Sequence, residues 1–352
     1  MNIKIQKKSD IILIVIFVCV SLNVFSDDTS LHDKKKSPAI EINGINFTLN
    51  KLPFSYRGIS FFNALYNPAF NKSKEEQINW LKKLNNNGIT VLRIWAEWNN
   101  SLGFIDACDS CIIYNRDGSL RPFYFDRLKS LLDASASLDM VIEYVFFSSE
   151  SKGNKLNDEA ANRAIQNITR ELIDYRNLVF QIWNEHDYRV ADYYKIIKQI
   201  DSDRLVSNSP GGGGTLGSDE HNELLDFLTP HTSRHGKHWE KVGEEIGGLI
   251  KKFNKPVVDD EPARSGTRES EWLGGPKDET SPFDMYCIFI MFGKQEDIRL
   301  IIMICFKLVT GVNLSRPVEF LILTLIPTIK LFLNFCVRKK DLILILNKYR
   351  NK

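Results

Sequence analysis

The stretch Leu178–Asp187, LVFQIWNEHD, is the part of this sequence that decides the fold. Its first residues are mostly β-branched or aromatic, which is typical of a buried strand, and they run directly into Asn184 and Glu185. A carboxylate placed directly after a buried strand is costly unless it has a partner. The same pattern also fits a helix that starts just past the strand, with Asn184 or Asp187 as its N-cap.

A second stretch, Lys255–Arg264, reads KPVVDDEPAR and has the same design, with a short strand over Pro256–Asp259 followed by Glu261. Two strand-end glutamates suit a barrel of repeated strand–helix units, in which the strand ends converge on one face. Two converging carboxylates are the minimum equipment for glycoside hydrolysis. Asp259 and Asp260 oppose ionisation of Glu261 as like charges, and strand alternation predicts that Asp260 turns away from the cleft.

The chain around these stretches alternates between strand and helix patterns. Strands are predicted at 55–62, 89–95, 140–147, 178–183, 204–208, 227–232 and 256–260. Helices are predicted at 75–87, 125–138, 158–175, 190–200 and 239–253. This order predicts an α/β protein, a (β/α)₈ TIM barrel over residues 40–282 whose eighth strand is missing or replaced. Alternation around Asn-Gly at 40–47 predicts a β-hairpin that caps the N-terminal end of the barrel.

Composition and short motifs exclude several classes of function. The chain has 46 Lys and Arg against 44 Asp and Glu, a net charge of +2, which does not suggest nucleic-acid binding. The glycine run Gly211–Gly214 lacks the Lys-Ser/Thr of a phosphate loop, so a flexible loop on the active face is predicted instead. Cys108 and Cys111 have no second metal-binding pair, and a local disulfide is favoured over half a zinc site or a redox pair. We predict no cofactor and no metal.

The two ends of the chain differ in character from the barrel. Residues 1–26 combine lysines, an apolar run and a small-residue cleavage site, and predict a secretory signal, with an uncleaved anchor as the alternative. Residues 27–39 are polar and predict a linker. Residues 283–352 contain 11 Ile and 11 Leu and no recognisable eighth strand. One hypothesis is a reading-frame shift near Asp284, and the alternative is a genuine membrane-associated tail.

Three segments, GITVLRIW, VFQIWNEHD and KPVVDDEPAR, resemble in this order strands two, four and seven of the clan A glycoside hydrolases, closest to the cellulase-like family 5. The resemblance covers about residues 40–280 and implies a retaining enzyme. It assigns Glu185 as the acid/base and Glu261 as the nucleophile. Aromatic bulk beside Glu185 would limit its hydration and favour its protonated form. Phe146 and Phe147 stand where many family members carry a histidine, so the exact subfamily is open.

Further residues become candidates in this context. Arg93, at the end of strand two, could keep Glu261 ionised, or could form a salt bridge with another barrel carboxylate. Asn184 could bind a sugar 2-hydroxyl or act as a local turn cap. His231 could hydrogen-bond the nucleophile or a sugar, although a lone histidine is more often structural.

Aromatic residues near the strand ends are candidates for a sugar-stacking platform. Trp95 and Trp98 are assigned to substrate binding, and Trp183 could share this role or belong to the core. Glu143 is a rival carboxylate, but it lies in mid-strand rather than at a strand end.

The leading interpretation is therefore a retaining glycosidase, secreted, periplasmic or on the cell surface, whose partner is a β-linked oligosaccharide or polysaccharide. One alternative is a barrel that binds carbohydrate without turnover or is inactive. Another is a membrane-tethered protein, held through the tail or an uncleaved signal. The sugar and linkage specificity cannot be read from the sequence, because they depend on loop shape.

Overall fold

The structure, a computed structural model, describes residues 37–97, 111–148, 156–234 and 238–262, together with a short strand at 303–304. The described residues belong to one compact unit, Ser37–Lys352. The predicted signal, most of the predicted linker, Trp98, Cys108 and the rest of the tail lie outside the described residues. Cys111 is disulfide-bonded, and its partner cysteine also lies outside them.

The barrel is preceded by a small antiparallel sheet of three strands, β1 (Ile40–Asn43), β2 (Asn46–Leu49) and β3 (Leu52–Phe54). Asn43 pairs with Asn46, and the loop between them contains Gly44 at φ +61°, a conformation that glycine adopts without steric cost. The predicted hairpin is confirmed, and β3 is an addition that the sequence analysis did not predict.

Within the described residues, the main sheet has six strands, all of them parallel, in the order β8-β7-β6-β5-β4-β9. Their bounds are β4 Gly58–Phe61, β5 Val91–Trp95, β6 Val141–Ser148, β7 Leu178–Asn184, β8 Val206–Ser207 and β9 Met303–Ile304. The next two predicted strands are reduced to short segments. Asp226 donates its N–H to Val206 O over 3.0 Å, and Leu228 forms a parallel bridge with Val257.

The position of an eighth barrel strand is held by β9. Met303 pairs with Gly58 and Ile304 with Ile59, so β9 runs parallel to β4 on the side away from β5. These two residues are all that the structure describes beyond residue 262. The predicted (β/α)₈ architecture is present, and Met303–Ile304 is the part of its eighth strand that the structure describes.

Helices follow the strands, and their starts have local causes. The helices are α1 (Lys74–Asn86), α2 (Pro122–Ala136), α3 (Asp158–Glu171), α4 (Val190–Ile200), α5 (Asp219–Leu224) and α6 (His238–Phe253). Ser73 caps α1 by accepting the N–H of Glu76, and Asn157 caps α3 by accepting that of Ala160. Such caps satisfy backbone donors that the first helical turn leaves free. Five helices were predicted, and α5 was missed. Within the described residues, no helix combines the length and apolar character needed to cross a bilayer.

The lower end of the barrel interior is filled by valines from four strands. Val91, Val141, Val179 and Val258 form one buried cluster with Phe47 of the hairpin. The hairpin therefore closes the N-terminal end of the barrel, as predicted. Because alternate residues of a strand point to the same side, the residue two positions after each valine also points into the barrel.

Candidate active site

A layer of polar residues lies directly above the valine layer. Arg93, Glu143, Gln181 and Asp260 each follow one of the four valines by two positions, and each is 0% exposed. Burial of so many polar groups is unfavourable unless they are hydrogen-bonded to one another. The alternation of the strands thus brings an arginine and two carboxyl groups together inside the barrel.

Gln181 links the members of this layer. Its Oε1 accepts a hydrogen bond from Arg93 Nε over 3.1 Å. Its Nε2 has three acceptors within hydrogen-bonding distance of its two N–H groups, Asp260 Oδ2 at 2.6 Å, Thr229 Oγ1 at 3.0 Å and Glu143 Oε1 at 3.2 Å. An amide can serve both a cation and carboxylates because it carries an acceptor and two donors, so Gln181 fixes their mutual positions.

Glu143, the rival carboxylate, lies inside the barrel rather than on its face. Tyr56 donates its hydroxyl to Glu143 Oε2 over 2.8 Å. Burial raises the pKa of Glu143 to about 7, against the opposing effect of Arg93. Its full burial leaves it no direct access to a substrate.

Glu185 stands at the end of β7 in a strained turn. Its φ is +60°, a left-handed conformation that is uncommon for residues other than glycine and often marks functional positions. Asn208 holds this turn from the neighbouring strand. Its Oδ1 accepts the N–H of Trp183 over 3.0 Å, and its Nδ2 donates to His186 O over 2.8 Å. The turn leaves the Glu185 side chain 21% exposed.

Glu261 has an arginine on each of its carboxylate oxygens. Arg93 Nη1 lies 3.2 Å from Oε1, and Arg234 Nη2 lies 3.3 Å from Oε2. The Glu261 side chain is 4% exposed. Two permanent positive charges at this distance favour the ionised carboxylate.

The two glutamates converge, and His231 lies with them. One ligand atom from each of Glu185, His231 and Glu261 forms a set whose members all lie within 4.8 Å of one another. His231 Nδ1 is 3.1 Å from Glu185 Oε1, and His231 Nε2 is 2.7 Å from Ser209 Oγ and 3.1 Å from Asp260 Oδ1. His231 was predicted to contact the nucleophile candidate or a sugar, and its direct hydrogen bond goes instead to the acid/base candidate.

His231 carries a proton at neutral pH in this environment. Burial lowers its pKa, but Asp260 and Glu261, together with hydrogen bonds to Asp260 and Glu185, raise it by more, to about 9. The protonated ring can donate from Nδ1 to Glu185 and from Nε2 toward Asp260 and Ser209. Ser209 itself is held by its N–H, which donates to Trp183 O over 3.1 Å.

The prediction that Asp260 turns away was wrong. Asp260 Oδ2 lies 2.9 Å from Arg93 Nη2, closer than the contact of Arg93 with Glu261. Alternation from Val258 turns Asp260 into the interior, and the chain then bends, so Glu261 faces the interior as well. Asp259 turns instead to Thr232, whose hydroxyl it accepts, and burial raises the pKa of Asp259 to about 7.

The other predicted binding residues have different outcomes. Asn184 is buried, and its Oδ1 accepts from Arg93 Nη2 over 2.8 Å. Trp95 is 1% exposed, with the Arg93 guanidinium 4.2 Å from its ring centre. It has no face open to a sugar, so its assignment to sugar stacking was wrong.

Trp183 is partly exposed and packs on Phe147 with ring centres 4.9 Å apart. Trp98 lies outside the described residues.

Glu185, His231 and Glu261 are also the set of described residues that could hold a metal ion. Two arginines already neutralise Glu261, and His231 keeps its proton at neutral pH because its pKa is about 9. A divalent cation would have to displace that proton and stand beside both guanidinium groups. The donor set therefore does not suit a metal.

The glycine run lies beside the site, on the active face as predicted. A methyl group added at Gly212 would come within 3.9 Å of Glu185 Oε1, and one at Gly213 within 2.8 Å of Arg234 Cδ. Gly214 donates its N–H to His231 O over 2.8 Å, which holds the loop against the end of the sixth strand. Sequence reasoning missed Arg234, Asn208 and Ser209, because no pattern marks residues that act across neighbouring strand ends.

Comparison with solved structures identifies the fold. A candidate glycoside hydrolase from Bacteroides vulgatus superposes with a TM-score of 0.60 at 19% identity, over 81% of this chain and 57% of that one. An endo-1,4-beta-mannanase from Rhizomucor miehei superposes with a TM-score of 0.57 at 13% identity, over 83% of this chain and 99% of that one. A glycoside hydrolase family 5 mannosidase from Rhizomucor miehei, in complex with mannosyl-fructose, superposes with a TM-score of 0.60 at 13% identity, over 78% of this chain and 86% of that one.

At these identities the likeness shows the fold, and the fold is that of the family 5 glycoside hydrolase barrels, as the sequence motifs predicted. The chain spans just over half, 57%, of the Bacteroides protein. No family model matches the sequence. No curated protein matches it either.

Proposed function

We propose that this chain is a retaining glycosidase that cleaves β-linked oligosaccharides or polysaccharides, with Glu185 as the acid/base and Glu261 as the nucleophile. The observation that carries the proposal is the approach of these two groups, since one oxygen of each lies within 4.8 Å of the other. Carboxyl groups about 5–5.5 Å apart suit double displacement, whereas inverting enzymes separate them by about 6.5–9.5 Å to admit a water molecule.

The surroundings of the two glutamates support different roles. Glu261 is nearly buried between two arginines, and a nucleophile must be ionised before it attacks. Glu185 is the more exposed of the two, with 21% of its side chain open to solvent. A group that gives up a proton in one step and takes one back in the next suits this second environment.

The reaction then proceeds in two displacements. In the first, Glu261 attacks the anomeric carbon, the glycosidic C–O bond breaks, and Glu185 gives its proton to the leaving oxygen. In the second, Glu185 takes a proton from water, the water oxygen attacks the same carbon, and the bond to Glu261 breaks. Asn184, fixed by Arg93, is positioned in this proposal to hydrogen-bond the sugar 2-hydroxyl, a contact that strengthens in the transition state.

The substrate class follows from the similar proteins rather than from this chain. Two of the compared structures are described as a mannanase and a mannosidase, so β-linked mannan is the first polysaccharide to test. We also propose that the protein is exported to the periplasm, the cell surface or the medium, because residues 1–26 have the pattern of a secretory signal.

The test is turnover by the purified full-length protein on β-linked polysaccharides and chromogenic β-glycosides. Glu185→Gln and Glu261→Gln should each lower kcat by about 10²-fold or more, while Glu159→Gln, on the exposed surface of α3, should leave it unchanged. Azide added to Glu261→Ala should give a glycosyl azide of inverted configuration, and azide added to Glu185→Ala should give the retained one. The opposite pairing would exchange the two roles.

A second candidate is a barrel that binds carbohydrate without turning it over. It is favoured by the eighth strand position, where Met303–Ile304 is the one described segment that pairs with β4. Saturable binding of an oligosaccharide, with no product released from any substrate in the panel, would support this candidate over the first.

A further inference from the structure

Arg234 is a charged residue at the centre of the site to which the sequence assigned no role. It follows the sixth strand, three residues after His231. Its Nε and Nη2 donate to the backbone carbonyl of Glu261 over 3.1 and 2.8 Å, and Nη2 also donates to Glu261 Oε2 over 3.3 Å. One guanidinium thus binds both the main chain and the side chain of the same glutamate.

This contact complements that of Arg93. Arg93 approaches from inside the barrel, is wholly buried, and shares its charge between Glu261 and Asp260. Arg234 approaches from the rim of the barrel, with its side chain 18% exposed, and among the described residues its one ion pair is with Glu261. Since Asp260 lies closer to Arg93 than Glu261 does, Arg93 by itself does not fully offset the charge of Glu261.

The chain positions Arg234 from two sides. The N–H of Ser233 donates to Glu245 Oε2 over 2.9 Å, which ties this segment to α6. On the other side lies Gly213, where an added Cβ would stand 2.8 Å from Arg234 Cδ and 2.9 Å from Cγ. Contacts under about 3 Å are too short for carbon atoms, so any larger residue at position 213 would displace the arginine.

We propose that Arg234 is a positioning residue that orients Glu261 and keeps it ionised, and that Gly213 is required to admit it. The inference rests on the proposed role of Glu261 as the nucleophile. The charged and titratable groups that face Glu261 come from three barrel strands and its own, namely Arg93, Glu185, His231, Arg234 and Asp260. Of the cationic groups among them, Arg93 belongs to the buried polar layer and His231 contacts Asp260 in it, whereas Arg234 binds Glu261.

The first measurement does not need turnover. The full chain is labelled with ¹³C at its glutamate carboxyl groups, and the Glu261 resonance is assigned by its loss in Glu261→Gln. Arg234→Gln should raise the titration midpoint of Glu261 by about one pH unit. Gly213→Ala should move it in the same direction, and Gly243→Ala, in an open position on α6, should not move it.

The second measurement uses the activity. In Arg234→Gln the acidic limb of the kcat/KM profile should move up by about one pH unit and kcat should fall at least about tenfold. Arg234→Lys should keep the midpoint near that of the wild type, because the charge remains, but should still lower kcat, because an ammonium lacks the forked geometry.

An unchanged Glu261 midpoint in both Arg234→Gln and Gly213→Ala would overturn the proposal whether or not the protein is active. A shifted midpoint in a chain without turnover would support the role of Arg234 while contradicting the proposed enzyme. Turnover in the wild type with an unmoved acidic limb in Arg234→Gln would support the proposed enzyme while contradicting the role of Arg234.

Discussion

Replacing His231 with glutamine tests whether the buried ion-pair cluster stabilises the fold. The pKa of His231 rises from 6.5 to about 9 on folding. At about 1.36 kcal/mol per pH unit, the protonated ring contributes about 3 kcal/mol to the free energy of unfolding. Because the folded pKa is the higher one, this contribution is fully present below pH 6.5 and is lost as the pH rises through about 9.

The assay is urea unfolding of the full chain, followed by tryptophan fluorescence at about pH 6 and about pH 10. Between these two values the wild type should lose about 3 kcal/mol more stability than His231→Gln does, since the variant lacks the titrating ring. His186→Gln is the matched control, because the His186 side chain is 41% exposed. Its pH dependence should follow the wild type.

The comparison between pH values, rather than the stability at one pH, carries this test. Glutamine at position 231 also removes hydrogen bonds to Glu185 and Ser209, a loss that lowers stability at every pH. If His231→Gln and the wild type lose stability with pH to within about 1 kcal/mol of each other, then His231 is not held protonated by Asp260 and Glu261, and the electrostatic description of the site is wrong.

Three further substitutions test other parts of the site. Arg93→Met should lower the free energy of unfolding by about 3–5 kcal/mol in urea, because it removes the cation that pairs with buried carboxylates. The control is Lys51→Met, which removes an exposed ion pair with Glu41 in the hairpin; an equal loss in the two variants would contradict this. Asn208→Ala should lower kcat by about tenfold or more with little change in KM, because the left-handed turn at Glu185 loses its two side-chain hydrogen bonds; a change confined to KM would show that the turn holds without it. Glu143→Gln should raise stability at about pH 8 by about 1–3 kcal/mol and have no such effect at about pH 4, since a carboxyl whose folded pKa is raised begins to cost stability above its unfolded pKa of 4.5 and costs it fully above about 7. Equal stability of Glu143→Gln and the wild type at both pH values would contradict the burial argument.

Local sequence determined the secondary structure and the main candidates. The hairpin required only a glycine that accepts a positive φ at position 44 and apolar alternation on either side. The starts of α1 and α3 follow from the capping residues Ser73 and Asn157. Glu185 and Glu261 could be selected because a carboxylate after a buried strand is rare, and the barrel topology then requires strand ends to meet on one face. These inferences depend on neighbours in the chain, which a sequence displays directly.

Tertiary structure decided which groups interact, because those contacts join residues that are far apart in the chain. Trp95 looked like a sugar platform, yet Arg93 covers its ring. Asp260 was predicted to turn away, but it follows the inward-pointing Val258 by two positions and therefore points to Arg93. The clamp of Arg234 on Glu261 depends on the approach of the sixth and seventh strand ends and on the space left by Gly213. Alternation predicts the side to which a side chain points only while a strand stays regular, and the site is built where the strands end.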